Sequence, residues 1–120
     1  MEIIQKAVLN LSRLDYFVKH LSIINPFISI ELTPKEREVL GAFMSFQGDM
    51  ADKDRFGTTF RKEVKKQLKM SDGGLGNHLI ALKKKEAITE GLNGTLVVPS
   101  YLFPHEGHQF YQFKITEKDE

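Results

Sequence analysis

The chain has 120 residues, 41% of them apolar and nine of them Phe, enough for one adequate core and too few for a second independent one. With no cysteine, disulfides, thiol nucleophiles and thiolate metal sites are excluded. The formal net charge is only +1, and apolar runs such as Leu96-Val97-Val98 fall far short of the roughly 20 residues that cross a bilayer. Without a signal peptide's basic start and cleavage site, a cytoplasmic location is expected.

From Glu2 to Asn25, Ile4, Ala7, Leu11, Leu14, Val18 and Leu21 recur at alternating intervals of three and four, which predicts a long amphipathic helix ending before Pro26. Residues 1–26 are read as an N-terminal element and 27–120 as the main domain. Ile4, Leu11, Leu14, Val18 and Leu21 could pack on the domain itself or form a coiled-coil seam between two copies. Phe27 to Leu32 reads as an edge strand or connector. Thr33-Pro34-Lys35-Glu36 then carries an N-cap, a proline at the first helical position and a capping box, so a second helix is expected, with Val39, Leu40, Phe43 and Met44 inward and its end near Gln47-Gly48.

Gly48 to Gly57, with Asp49, Asp52 and Asp54, reads as a solvated loop, because the calcium loop's central glycine and terminal glutamate are missing. Thr58 or Thr59 is expected to cap a third helix with Phe60, Val64 and Leu68 inward. Arg61, Lys62, Lys65 and Lys69 then fall on its opposite side. Ser71 is a natural N-cap for a fourth helix with Leu75, Leu79 and Leu82 inward. Gly73, Gly74 and Gly76 cost about 1 kcal/mol each inside a helix. Either they let a phosphate approach the helix N-terminus, or they form a turn and the helix starts near Leu75; the second reading is preferred. Finally, Thr95 to Val98 and Gln109 to Ile115 are predicted as two strands joined by a long loop from Pro99 to His108.

The small net charge conceals a local imbalance. Between Arg61 and Lys85 there are eight Lys or Arg against Glu63 and Asp72, an excess of six, whereas from Glu86 onward six carboxylates face Lys114 and Lys118. A concentrated basic segment is the footprint of a surface that meets phosphates, although a lysine-rich solvated face reads the same way.

The run Phe60-x-x-x-Val64-x-x-x-Leu68-x-Met70-Ser71, followed by Leu75-x-x-x-Leu79-x-x-Leu82-Lys83-Lys84-Lys85-Glu86-Ala87-Ile88, resembles the DNA-binding core of MarR-like winged-helix regulators. Leu32-Thr33-Pro34-Lys35-Glu36-Arg37-Glu38-Val39-Leu40 looks like the opening of small bacteriophage and bacterial regulators. The resemblance covers roughly Thr33 to Ile115. It implies a mainly α fold with a small β-hairpin (α+β), a winged helix-turn-helix preceded by the long N-terminal helix, acting as a transcriptional regulator on double-stranded DNA, in the host cytoplasm if phage-encoded. The fourth helix would be the recognition helix, with Asn77 the one central side chain suited to a bidentate base contact. Phosphate contacts would come from Arg61, Lys62, Lys65, Lys69, Lys83 and Lys84, with Ser71 and Gly73 at the helix start.

The expected wing tip, Pro99 to His108, has no Lys or Arg, which departs from the family pattern. Its Tyr101, Leu102 and Phe103 suggest a patch covered by the N-terminal helix or by a protein partner. A rival reading is therefore a winged-helix adaptor or assembly factor in a phage particle, replication or polymerase complex. Single-stranded nucleic acid is disfavoured for want of aromatics among the basic residues. No cofactor, metal site or enzymatic activity is expected: His105-x-x-His108 lacks further ligands, and His20 and His78 stand in no nucleophile-base spacing.

Overall fold

The computed structural model describes residues 8–118. Among these the chain forms five α-helices and one two-stranded antiparallel hairpin, the expected mainly α, α+β class. The predicted first helix is shorter than expected: α1 spans Arg13–Ile24, with the Ser12 side chain accepting from the Asp15 N–H. The part predicted from Glu2 to Ala7, with Ile4, lies outside the described residues. A single 3-10 turn, Asn25–Phe27, follows. The connector after it forms no strand; Asn25 Oδ1 accepts from the Leu32 N–H at 3.0 Å and closes it as a loop.

Helix α2, Pro34–Met44, begins with the predicted capping box, Thr33 and Glu36 each accepting from the other's N–H. It ends at Met44, earlier than expected, and the Arg55 guanidinium donates to the carbonyls of Phe43 and Phe46 at its end. Val39, Leu40, Ala42, Phe43 and Met44 are all fully buried, because α1, α4 and α5 each pack on α2. Gly41 permits the closest of these approaches: a Cβ there would lie 2.7 Å from Val18 Cγ2 and 3.0 Å from the Val18 backbone nitrogen.

The aspartate-rich segment read as a loop contains a short helix, α3, Asp49–Asp54. Its Ala51 is buried, and Asp49 and Asp52 occupy the first turn, where the helix dipole favours carboxylates. Helices α4, Thr58–Leu68, and α5, Asp72–Lys84, follow. A Schellman turn ends α5: the Ala87 N–H bonds the Leu82 carbonyl, the Glu86 N–H bonds the Lys83 carbonyl, both at 3.0 Å, and Glu86 takes a left-handed φ of 63°. This turn sends Ala87 and Ile88 into the core.

The hairpin differs from the predicted one. Strand β1, Thr89–Glu90, pairs with β2, Leu96–Val97, through a turn at Asn93-Gly94, where Gly94 has φ of 76°. Residues 109–115 form no strand. The partner open to β2 at the lowest loop-closure entropy is the neighbouring segment across Gly91–Thr95, not one reached across ten residues that contain two prolines. Pro99 to His108 is accordingly no wing tip. It folds as a 3-10 turn, Ser100–Leu102, and returns to α1, where the Tyr16 hydroxyl donates to the His105 carbonyl and Arg13 pairs with Glu106 at 2.8 Å.

Candidate nucleic-acid interface

The basic segment occupies the helix pair α4 and α5. Gly57, not a threonine, is the N-cap of α4. Val64 is buried, Phe60 packs at a tilt against Phe46 with ring centroids 4.7 Å apart, and Leu68 packs on the core, so the inward face is the predicted one. Lys69 closes the helix in the left-handed region with φ of 54°, and the Met70 N–H bonds the Lys65 carbonyl. The connection to α5 is therefore tight, with Ser71 accepting from the Gly74 N–H at 3.0 Å as the predicted cap. The helix starts at Asp72, so the glycines lie inside its first turns instead of forming the turn before it. A Cβ at Gly73 or Gly76 would meet nothing within 4 Å.

On α4, Lys62 and Lys66 are exposed on the side away from Val64, and Lys69 is exposed at its C-cap. Lys66, counted in the charge of the segment but not in the expected phosphate set, belongs there. Its spacing of four from Lys62 and three from Lys69 was the available signal. Arg61 is exposed, and its Nε donates to the Phe56 carbonyl at 2.6 Å. Lys65 is half-buried and forms an ion pair with Asp72 across the turn; that hydrogen bond and charge hold the Asp72 carboxyl below its ordinary range. On α5, Gly73, Asn77, Ile80 and Lys84 share the outward face, and Lys83 is exposed beside them. Lys85 is occupied elsewhere, its Nζ 2.6 Å from the buried Glu36 carboxylate. Burial raises the Glu36 pKa, but the hydrogen bonds from Lys85 and Thr33 outweigh it and leave the group below its ordinary value.

The other singled-out residues lie away from this pair. Leu21 is fully buried, Leu14 and Val18 are partly covered by the fold, and Leu11 is exposed ahead of α1. Leu102 is buried and Phe103 packs edge-on against Phe17, which leaves Tyr101 as the exposed member of that trio. The hairpin turn, with Leu92 fully exposed at its tip, carries no cation between Glu90 and Val97. Among the described residues no three His, Asp or Glu side chains converge as metal ligands, and no helix is long and apolar enough to cross a membrane. Comparison with family models, curated proteins and solved structures finds no match to this chain.

Proposed function

We propose that the chain is a winged helix-turn-helix regulator that binds double-stranded DNA through α4 and α5. The observation that carries this reading is the division of labour on the helix pair. Lys62, Lys66 and Lys69 form an exposed cationic row on one helix, and the other offers an unobstructed outward face with Asn77 at its centre and Lys83 and Lys84 at its end. The row suits phosphates, and the small residues Gly73 and Gly76 let a helix sit close to a groove. The element order supports the same reading, since α2, α4 and α5 are followed at once by a hairpin. Few side chains face outward on α5, so affinity is dominated by charge and base selectivity is modest. The reading places the protein in the cytoplasm and assigns it no catalytic step.

Fluorescence anisotropy with a random-sequence duplex at low and moderate salt tests this. Binding that weakens steeply with salt, and at least tenfold on combined Lys62→Glu and Lys66→Glu substitution, is expected. No binding at low salt would overturn the reading. A second reading, an adaptor that docks another protein, is favoured by Leu92 at the hairpin tip and Ile80 on the outer face of α5, both exposed. It predicts that the double charge reversal leaves partner capture unchanged while Ile80→Asp abolishes it.

A further inference from the structure

Exposed apolar residues cluster where the segments on either side of the helical core, residues 8–11 and 110–115, come together. Val8, Leu9 and Leu11 line one cleft together with Phe110. Leu9 and Leu11 line another with Ile23 and Tyr111. Tyr111 stacks parallel to Phe113, and Phe113 stacks on Phe27 with ring centroids 4.7 Å apart. Shared clefts and ring contacts therefore link residues 8–11, Phe110, Tyr111, Phe113, Ile23 and Phe27, and much of this surface faces water: Phe110 is 84% exposed, and Ile115, farther along the same segment, 96%. Allowing about 150–250 Å² for each aromatic side chain, the exposed parts of Phe27, Phe110 and Phe113 alone present on the order of 400 Å². With the exposed Val8, Leu9, Leu11 and Ile115 added, the total approaches one partner's share of a standard interface.

The backbone here also lacks main-chain partners. Among the described residues, no main-chain N–H or C=O from Phe110 to Lys118 takes part in a main-chain hydrogen bond, although Tyr111, Phe113 and Ile115 alternate as in a strand with one apolar face.

We propose that this segment forms a two-fold homodimer by pairing antiparallel with the same segment of a second copy, with Phe113 on the dyad. The occupant is a second copy because the segment is complementary to itself in that arrangement. Centring on Phe113 sets Tyr111 opposite Ile115 on one face, Phe110 opposite Thr116 and Gln112 opposite Lys114 on the other, and Gln109 opposite Glu117, so the apolar set of one face meets itself and no like charges meet. Parallel in-register pairing would instead stack Lys114 on Lys114 and Glu117 on Glu117. A slip by one residue would turn the apolar set to the wrong face. Pairing brings each Ile115 onto the partner subunit's Tyr111 and covers Phe27 and Leu9. This seam is distinct from the stripe of Leu14, Val18 and Leu21, which the fold itself uses, and it stands whether or not α4 and α5 bind DNA.

The cysteine-free chain allows a direct test. Light scattering on the full chain at micromolar concentrations should give twice the 13.7 kDa protomer mass. Ile115→Glu, at a position too exposed to affect folding, should weaken dimerisation at least 100-fold with an unchanged circular dichroism spectrum. Under mild oxidation Phe113→Cys should cross-link at least tenfold faster than Gln112→Cys, because only a residue on the dyad meets itself. A monomer at every concentration, a dimer undiminished by Ile115→Glu, or equal cross-linking at both positions would overturn the proposal.

Discussion

His20 is buried on α1, with the Leu102 carbonyl 3.0 Å from Nε2 and the Tyr111 hydroxyl 2.5 Å from Nδ1. A carbonyl can only accept, so the ring proton resides on Nε2, and Nδ1 accepts from the tyrosine. Both contacts are made by the neutral ring. Burial lowers the His20 pKa from 6.5, only partly offset by the bond to Leu102, while burial and the nearby Tyr16 push Tyr111 up to about 12. A histidine whose pKa is lower folded than unfolded contributes stability that is fully present above 6.5 and is lost as pH falls through the folded value. The thermal midpoint should therefore drop as pH falls below 6.5, and His20→Gln, which cannot titrate there, should flatten that drop. A scan of melting temperature against pH for both proteins checks this. The His20 cluster was not legible in the sequence, because its partners lie 82 and 91 residues away. Arg55 escaped notice for the same reason: its contacts are with carbonyls at the end of another helix, and nothing in Asp52-Lys53-Asp54-Arg55 signals them.

At the scale of elements, the legible features are those set by neighbours in the chain. The capping box at Thr33 and Glu36, the Ser71 cap, and the inward faces of α4 and α5 follow from spacings of three and four. The alternation from Tyr111 to Ile115 shows that one face seeks apolar company but not which surface supplies it. Pairing of β2 with β1 was decided by loop length, and Tyr111 and Phe113 pack on α1 and Phe27 instead. Two helix-level consequences can be measured. Glu86 holds a left-handed conformation that costs a non-glycine residue about 1 kcal/mol, so Glu86→Gly should raise the denaturation midpoint despite the greater freedom of glycine in the unfolded chain. Gly41→Val should do the reverse. Its side chain has to displace the Val18 backbone, and overpacking of this kind costs about 1–3 kcal/mol.

The whole molecule is closed by contacts between distant parts of the chain: Arg13 with Glu106, Tyr16 with His105 and His20 with Leu102, spanning 93, 89 and 82 residues. Contacts of this separation carry the largest loop-closure entropy, whereas α2, α4 and α5 assemble from nearer neighbours. The C-terminal segment should accordingly dock after the folding transition state. Tyr16→Phe, which removes a hydrogen bond worth about 1 kcal/mol, is expected to accelerate unfolding and leave the refolding rate nearly unchanged in stopped-flow chevrons. Equal effects on both limbs would place the docking earlier.

The ion pair between Lys65 and Asp72 also bears on how the molecule would register salt. A lysine that meets a phosphate displaces a counterion condensed on the DNA, and the released ion is what makes affinity fall as salt rises. For Lys65 to do so it must first give up its ion pair with Asp72, so the energy of that pair is subtracted from whatever the phosphate contact gains. If α4 and α5 bind DNA as proposed, Lys62, Lys66, Lys69, Lys83 and Lys84 carry the ionic slope of binding, while Lys65 braces the turn between the two helices.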